Sequence, residues 1–513
     1  MARTKSADSS ANKKVTTTKS QPTVAELREW YANNENRMRS YELAEDQIKR
    51  LRDVAKNPTP KSLGTYTKEG VVNYLQNPGQ NEKNLRNLSR YLFYRSNIYF
   101  RICEFFANFP MLSARQVIPR IDLNKGLDQN KALKSYNDTL ELLDRMNLVR
   151  NFKKVFSTVF REDVFYGIYW IDDTGMIIIP WDPDYGKITG ITSYGNYIYS
   201  MDMTWFRSRQ DILEFWGEPF TTMYNNYLKD GQKWQEVGEQ GICIKFRDDW
   251  ELVVPPFSGM FIDLMNLLTL QDLQSVKDEQ DVFKLVYAKL ETMDNKSSDE
   301  FCVSPDLKVQ YFNVFKELLP SYIACGILPG NSDLGVIDFA DNQDSTATAT
   351  KTSKAITQVL NTAGGGEVLD GTNINNTYAY KCAMINNTRF ALTSIIPQVE
   401  AWLAMVADQQ LSNPAKIHLF MVSPYTKDDF QDDLLEAAQN GLPTALPYNT
   451  LNEMSEIDTM ALLEMQSILG IPDKLVPLST SYTQSGSGGE VGQGRDKLPD
   501  DELEPSTDRS RNA

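Results

Sequence analysis

Histidine is almost missing from this sequence: His418 is the only one in 513 residues. A Ser-His-Asp triad or a Cys-His pair has to be built on it, and a multi-histidine metal site is excluded. It stands in KIHLFMV, an apolar run that reads as a strand, so it is expected to be a strand histidine. Cysteine is scarce too. Cys103, Cys243, Cys302, Cys325 and Cys382 lie far apart with no C-x-x-C pair, which implies reduced, buried thiols and a reducing compartment. No uninterrupted apolar stretch reaches the ~18–20 residues that span a bilayer, so no membrane is expected as a partner. G-x-x-x-x-G-K-[ST] is absent, which excludes a nucleotide-hydrolysing P-loop. Basic residues are in deficit: 53 Lys+Arg face 68 Asp+Glu, a net charge of −15.

What is present, 41% hydrophobic and 24% charged residues, is the mix of an ordinary globular chain. At roughly 150 residues per domain the length implies about three domains or one body with large insertions. The N-terminus carries five basic residues and one acid without an apolar core. It reads as a flexible arm rather than a secretory signal. From Ser485 onward SGSGGEVGQGRDKLPDDELEPSTDRSRNA has too few large apolar groups to order itself.

Between these ends the apolar periodicity changes several times. Residues 23–107 are helical, a charge-laced solvent-facing segment first and the apolar LRNLSRYLFYRSNIYFRICEFFA second. One further helix is expected from Leu133 to Phe160. Residues 162–255 alternate in β-branched and aromatic residues, with the best hairpin turn at Asp172–Gly175, and KWQEVG and ICIKFRDDWELVV read as strands of the same antiparallel sheet. A rod follows, with Phe261, Leu264, Leu268 and Leu273 on one apolar face. Some 24 residues make it about 36 Å long. KLVYAKLETM then reads as a strand, SPDLKVQYFNVFKELL as a helix and DLGVIDFA as a strand, before TATKTSKAITQVLN resumes a helix. NTAGGGEVLDGTN reads as a protruding loop, because three glycines in a row do not continue a helix. The long apolar helical pattern that follows contains Pro397, which is expected to kink or interrupt it. In the last helical part Ser455 and Asp458 fit a capping box and Gly470 a C′ stop. The fold class is α+β.

Few residues suggest covalent chemistry. The acid pairs Asp172/Asp173, Asp182/Asp184 and Asp248/Asp249 could supply a glycosidase with its two carboxyls, but adjacent acids in turns read first as solvated turn residues. The 24 Tyr, 23 Phe and 8 Trp could stack on sugars or bases; core packing accounts for them more simply. No cofactor or metal is expected, and the residues point to an assembly or binding protein rather than an enzyme.

The order of these segments, with the stretches Tyr74–Ala107, Val164–Thr189, Pro255–Leu267, Asp433–Leu451 and Leu475–Gly486, resembles the portal proteins of tailed bacteriophages, in particular those of long-tailed phages of Gram-positive hosts. The resemblance implies a portal-type subunit with a helical and β wing, a two-helix stem, a small α/β clip and a C-terminal helical crown. By position the flexible arm is 1–22, the wing 23–258, stem helix 1 259–282, the clip 283–344 and stem helix 2 345–360. The tunnel loop is 361–373, the wing's long helix and strand 374–424, the crown 425–475 and the flexible tail 476–513. It implies a homo-oligomeric ring of about twelve subunits closed by head-to-tail contacts at the capsid vertex of the virion, assembled in the host cytoplasm. Its partners are double-stranded DNA in the channel, read without sequence specificity, the terminase large subunit, a head-completion or adaptor protein, and the major capsid protein with or without scaffold.

The resemblance also implies the site residues. Lys351 and Lys354 of the second stem helix are candidate phosphate contacts, each reading equally as part of a solvated helix face. Asn361, Thr362, Gly364, Gly365, Gly366, Glu367 and Asn373 line the channel at the tunnel loop. Phe261, Leu264, Leu268 and Leu273 pack the stem, and Asp306, Lys308, Asn331 and Asp333 belong to the clip. Duplex DNA carries one charge per about 1.7 Å of axis, so an acidic chain suits a conduit that must not grip; a charge of −15 equally serves solubility. The competing readings are another ring of the head-tail connector and a hydrolase acting on DNA or glycans.

Overall fold

The computed structural model describes residues 22–38, 66–120, 128–249, 251–282, 284–291, 303–304, 307, 309–310, 313–314, 324–329, 333–338, 345–362, 364 and 377–470. The chain divides into two units, Met1–Glu456 and Ile457–Ala513, and the architecture below is that of the first.

Helix α1 (Val24–Met38) is exposed over most of its described surface, as its charges suggest, but it docks by one edge. Val24 and Leu27 are fully buried, the Val24 amide donates to Asp172 Oδ2 at 2.8 Å, and Trp30 stacks on Phe215 with centroids 5.2 Å apart. A narrow i, i+3 apolar edge was enough to dock it, and the polar residues around that edge hid it. Helices α2 (Lys68–Gln76), α3 (Glu82–Arg95) and α4 (Asn97–Ala107) follow. Ser96 separates the last two: its backbone is extended and its Oγ caps α4 by accepting from the Tyr99 amide. After strand β1 (Arg115–Ile118), the single helix expected over Leu133–Phe160 is instead two, α5 (Gln129–Met146) and α6 (Leu148–Glu162), because Asn147 adopts a left-handed conformation at φ 41°, which asparagine tolerates better than most residues.

Strands β2 (Val164–Asp172) and β3 (Gly175–Trp181) form the expected hairpin, its turn closed by Asp172 Oδ1 accepting from the Thr174 amide at 2.8 Å. Then come β4 (Gly186–Ile191), β5 (Tyr197–Asp202), helices α7 (Gln210–Trp216) and α8 (Phe220–Asp230), β6 (Trp234–Glu236) and β7 (Gly241–Lys245). These strands make two sheets, ordered β3-β2-β7 and β4-β5-β6. The expectation that KWQEVG and ICIKFRDDWELVV share one sheet is therefore corrected, and the second strand stops at Lys245.

The first sheet is covered on both faces. Phe165, Tyr169, Met176, Ile178, Ile242 and Ile244 point into one core with α3, α4 and α6. Val164, Tyr166, Ile168, Trp170, Ile177 and Ile179 point into a second core with α1, α7, α8 and the other sheet. Two buried faces explain why β2 and β3 read as continuous apolar runs although their pairing is antiparallel.

From the first core emerges α9 (Phe261–Val282), which leads to β8 (Lys284–Leu290), β9 (Ala324–Pro329) and β10 (Asp333–Asp338) and is followed by α10 (Ser345–Thr362). The small sheet is ordered β10-β8-β9; β8 and β9 are parallel and β8 and β10 antiparallel. A parallel pair needs a crossover, and helical residues 307, 309, 310, 313 and 314 lie between its strands. The long helix α11 (Thr377–Gln410) follows without interruption through Pro397. Both Pro397 and Thr393, whose carbonyl loses its amide partner, are exposed, so the orphaned acceptor is not sealed in an apolar core, where it would be costly. Helix α11 is long and apolar enough to cross a membrane, but Ile395, Ile396, Val399, Trp402, Leu403 and Val406 are buried in the first core. Strand β11 (Lys416–Leu419) pairs antiparallel with β1, and α12 (Lys427–Gln439) and α13 (Ala445–Leu451) complete the unit. Helix α14 (Glu456–Ile468) leads into the second unit and ends at Gly470, which takes the expected left-handed conformation at φ 61°. The whole is α+β.

Candidate functional site

The region where the sequence places its channel residues is built on α9 and α10, which lie side by side. Phe261 and Leu264 are fully buried and Leu268 nearly so, all three in the core shared with α3, α4 and α6, where Tyr99 meets Phe261 edge-on at 5.7 Å. The first two turns of α9 are thus part of that core. Helix α10 is two-faced in its C-terminal half. Val359 and Leu360 are buried, with Ala355 and Ile356 packed beside them. Lys354, Gln358, Asn361 and Thr362 are exposed, and at 100° per residue these four share one side. With Ser353 and Thr357 they line one shallow concavity.

Asn361 and Thr362 belong to the helix, not to the loop assigned from 361 onward, because α10 runs two residues past its expected end. Thr362 Oγ1 donates to the Gln358 carbonyl at 2.9 Å. Gly364 then leaves the helix at φ 72°, its amide donating to the Asn361 carbonyl at 3.0 Å and its carbonyl accepting from Asn387 Nδ2 of α11 at 2.8 Å. A Cβ here would sit 3.1 Å from Asn387 Oδ1, so both the backbone angle and the neighbour favour glycine. Gly365, Gly366, Glu367 and Asn373 lie outside the described residues, as do Asp306, Lys308 and Asn331. Lys351 and Leu273 are described only as helical backbone, and Asp333 only as a β10 position opposite Lys289. The structure therefore brings Lys354, Asn361, Thr362 and Gly364 together and adds Gln358 and Asn387. Neither addition had a sequence signal: one needs the helix phase, the other a neighbour 23 residues away.

Of the acid pairs, Asp173, Asp248 and Asp249 are exposed. Asp182 and Asp184 are not solvated turn residues. Arg86 Nη2 donates to Asp184 Oδ1 at 2.7 Å, Lys83 lies 3.1 Å from its other oxygen, and Asp182 caps the Asp184 amide at 2.9 Å. Next to them Arg90 and Arg161 converge on buried Glu162 at 2.5 and 2.6 Å. Burial on its own raises the Glu162 pKa, but the two guanidiniums outweigh it and hold the carboxyl down to about 2. Asp172 accepts from Val24 and Thr174, and Asp248 from the Tyr197 hydroxyl at 2.7 Å. His418 lies in β11 as expected, with Nδ1 2.7 Å from Glu400 Oε1. Among the described residues no group of three His, Cys, Asp or Glu is placed to hold a metal ion.

No family model matches the chain, and no curated protein matches it. Three solved structures are similar at low identity. The neck of an empty gene transfer agent (GTA) particle, computed with C6 symmetry, is 12% identical with a TM-score of 0.38, covering 69% of this chain and 94% of that one. The virion of a native GTA particle is 12% identical with a TM-score of 0.37, covering 72% and 93%. The neck of a native GTA particle computed with C12 symmetry is 12% identical with a TM-score of 0.38, again covering 72% and 93%. At TM-scores below 0.5 these likenesses carry no argument about the chain.

Proposed function

We propose that the chain is a non-enzymatic, portal-type subunit. About twelve copies stand around an axis in a closed head-to-tail ring at one capsid vertex, and duplex DNA passes through the hole. The observation that carries this reading is the α9–sheet–α10 unit, two adjacent helices bracketing a small α/β module, whose second helix keeps a polar face open immediately before the glycine segment. In a ring such a face lines an inner wall. Among the described side chains it offers one ammonium, Lys354, and three neutral groups, Gln358, Asn361 and Thr362. Each phosphate contact by a cation releases counterions and adds to binding, so a wall of mainly neutral groups supports sliding. The module between the helices is the docking platform for the terminase large subunit during packaging and for head-completion or adaptor proteins later, while the wing meets the capsid protein.

Negative-stain electron microscopy of the purified full-length chain tests the ring: class averages with a central hole are expected, and a monomer whose DNA- or glycan-cleaving turnover disappears on Asp substitution overturns the proposal in favour of a hydrolase. Deleting Ala363–Gly371 is expected to leave rings intact but to lower the amount of DNA packaged or retained. Loss of oligomerisation on that deletion removes the segment from the channel.

A further inference from the structure

Charge is segregated along this chain. Between Asn147 and Arg161 there are four cations and no carboxylate, and between Asp428 and Gly470 nine carboxylates and no Lys or Arg. On α6 the cations Arg150 and Lys153 are exposed and form no ion pair among the described residues. Lys154, on the same side, donates to the Tyr31 hydroxyl at 2.6 Å. Together they line the mouth of a cavity of about 400 Å3 whose walls include Tyr94, Pro180 and Trp181. The lining holds five cations, Arg90, Arg150, Lys153, Lys154 and Arg161, against three carboxylates, Glu104, Glu162 and Asp182, and Arg90 and Arg161 are committed to Glu162. The mouth therefore stays positive in a chain of net charge −15.

Helix α12 is the counterpart. Asp428, Asp432, Asp433 and Glu436 are exposed and fall within one side of the helix at 100° per residue. They make no ion pair among the described residues; Asp429 alone is bridged, to Lys381 at 2.8 Å. Leu435 stands beside them, 45% exposed. Like charges three and four residues apart on a helix repel, and each stripe leaves that repulsion unrelieved within the chain.

We propose that the α6 cations of one copy dock on the α12 carboxylates of the next copy around the ring, with Leu435 entering the cavity beside Tyr94 and Trp181. The proposal rests on the ring reading above and names one of its contacts. Two different surfaces meet, so the contact is heterologous and is satisfied in every copy only when the array closes. A duplex offers phosphates but no aliphatic group to fill an aromatic and proline-walled cavity, which favours a protein partner over nucleic acid for these cations.

Charge reversal tests it on the full-length chain, with ring formation followed by light scattering over a concentration series and folding by circular dichroism. R150E/K153E and D432K/D433K, all at exposed positions, are each expected to remain folded and to raise the concentration needed for rings at least about tenfold, as truncating or reversing facing charges does. The four-substitution protein is expected to recover assembly, and ring formation by the unaltered chain is expected to weaken as salt rises from 0.15 M toward about 1 M, where the screening length falls to about 3 Å. Equal assembly by all four proteins overturns the interface and leaves the ring standing. Failure of the combined variant to recover overturns it as well, as does normal assembly by R150E/K153E with loss of binding to a duplex DNA fragment. If the unaltered chain forms no rings, both the ring and this contact are overturned.

Discussion

Replacing Lys245 by methionine removes one partner of an ion pair that water does not reach. Lys245 Nζ lies 2.6 Å from Asp163 Oδ2, both side chains are fully buried, and the ammonium also donates to the Arg247 carbonyl at 3.0 Å. Asp163 Oδ1 accepts from the Arg247 amide at 3.1 Å, so the carboxylate keeps one partner after the substitution. Breaking a buried pair from one side typically costs about 3–5 kcal/mol, because it strands the other charge; the surviving amide bond places K245M toward the lower figure, about 3 kcal/mol. Burial already pushes the Asp163 carboxyl above its usual range, against the pull of Lys245. Without the ammonium it rises further, and a carboxyl whose folded pKa exceeds its unfolded one gains stability as pH falls. The penalty of K245M is therefore expected to shrink between pH 7 and pH 5. In K245M/D163N no charge is stranded, and asparagine tolerates the φ of 76° at this position. The double variant is expected to be more stable than the sum of the single losses by about 1–3 kcal/mol. Urea unfolding read by tryptophan fluorescence measures all three proteins. A K245M loss below about 1 kcal/mol, or strict additivity with D163N, refutes the buried-pair argument.

Two other substitutions separate folding from assembly. L264D/L268D puts two carboxylates into the first core, so it is expected to unfold the chain as well as abolish the proposed rings; a folded monomer with an intact near-ultraviolet circular dichroism spectrum would show that these leucines face a neighbouring subunit instead. Glu162, held to about 2 against a reference of 4.5, contributes stabilisation that is present above about pH 4.5 and is lost as pH falls toward 2. E162Q is expected to flatten the acid limb of a stability-against-pH curve over that window, and an unchanged limb would remove the Arg90–Glu162–Arg161 cluster as its source.

Helices with a wide apolar stripe, such as α9, and the β2–β3 hairpin, with its Asp172–Gly175 turn, were legible because their signals are local. What was missed depends on partners far along the chain. Helices α7 and α8 carry Phe215, Trp216, Phe220 and Tyr224, residue types that suit strands equally, and only the core they share with α1 and the second sheet makes them helical. Strand β9 was passed over because ACGILP contains glycine and proline, residues depleted in strands; Pro329 is the last residue of an edge strand, where no donor is missed. The roles of Asp182 and Asp184 were equally invisible, since Arg90 and Arg86 meet them across some ninety residues of sequence. At the candidate site Asn361 and Thr362 were assigned to the loop, because nothing in the sequence marks the two extra residues of α10 that put them on one side with Lys354, and the anchoring of Gly364 needed Asn387, which no spacing rule connects to it.

That anchor limits how the proposed channel segment can move. Helix α11 holds three parts of the first unit along one rod: Asn387 binds the Gly364 carbonyl, Gln398 bridges the Lys245 amide and carbonyl at 2.9 and 2.7 Å, and Glu400 accepts from the Leu419 amide at 2.8 Å. From Asn387 to Glu400 the rod is about 20 Å long at 1.5 Å per residue. Pro397, which removes one amide from that span, does not separate the three contacts, since Gln398 Nε2 also donates to the Ser394 carbonyl at 2.6 Å across the weakened turn. The base of the glycine segment is thus fixed to the same element that fixes β7 and β11, and displacing it means displacing the rod. The end of α10 is therefore tied through Gly364 to the helix that also holds β7 and β11, so a substitution at Asn387 is expected to loosen the end of α10 while leaving the contacts of Gln398 and Glu400 in place.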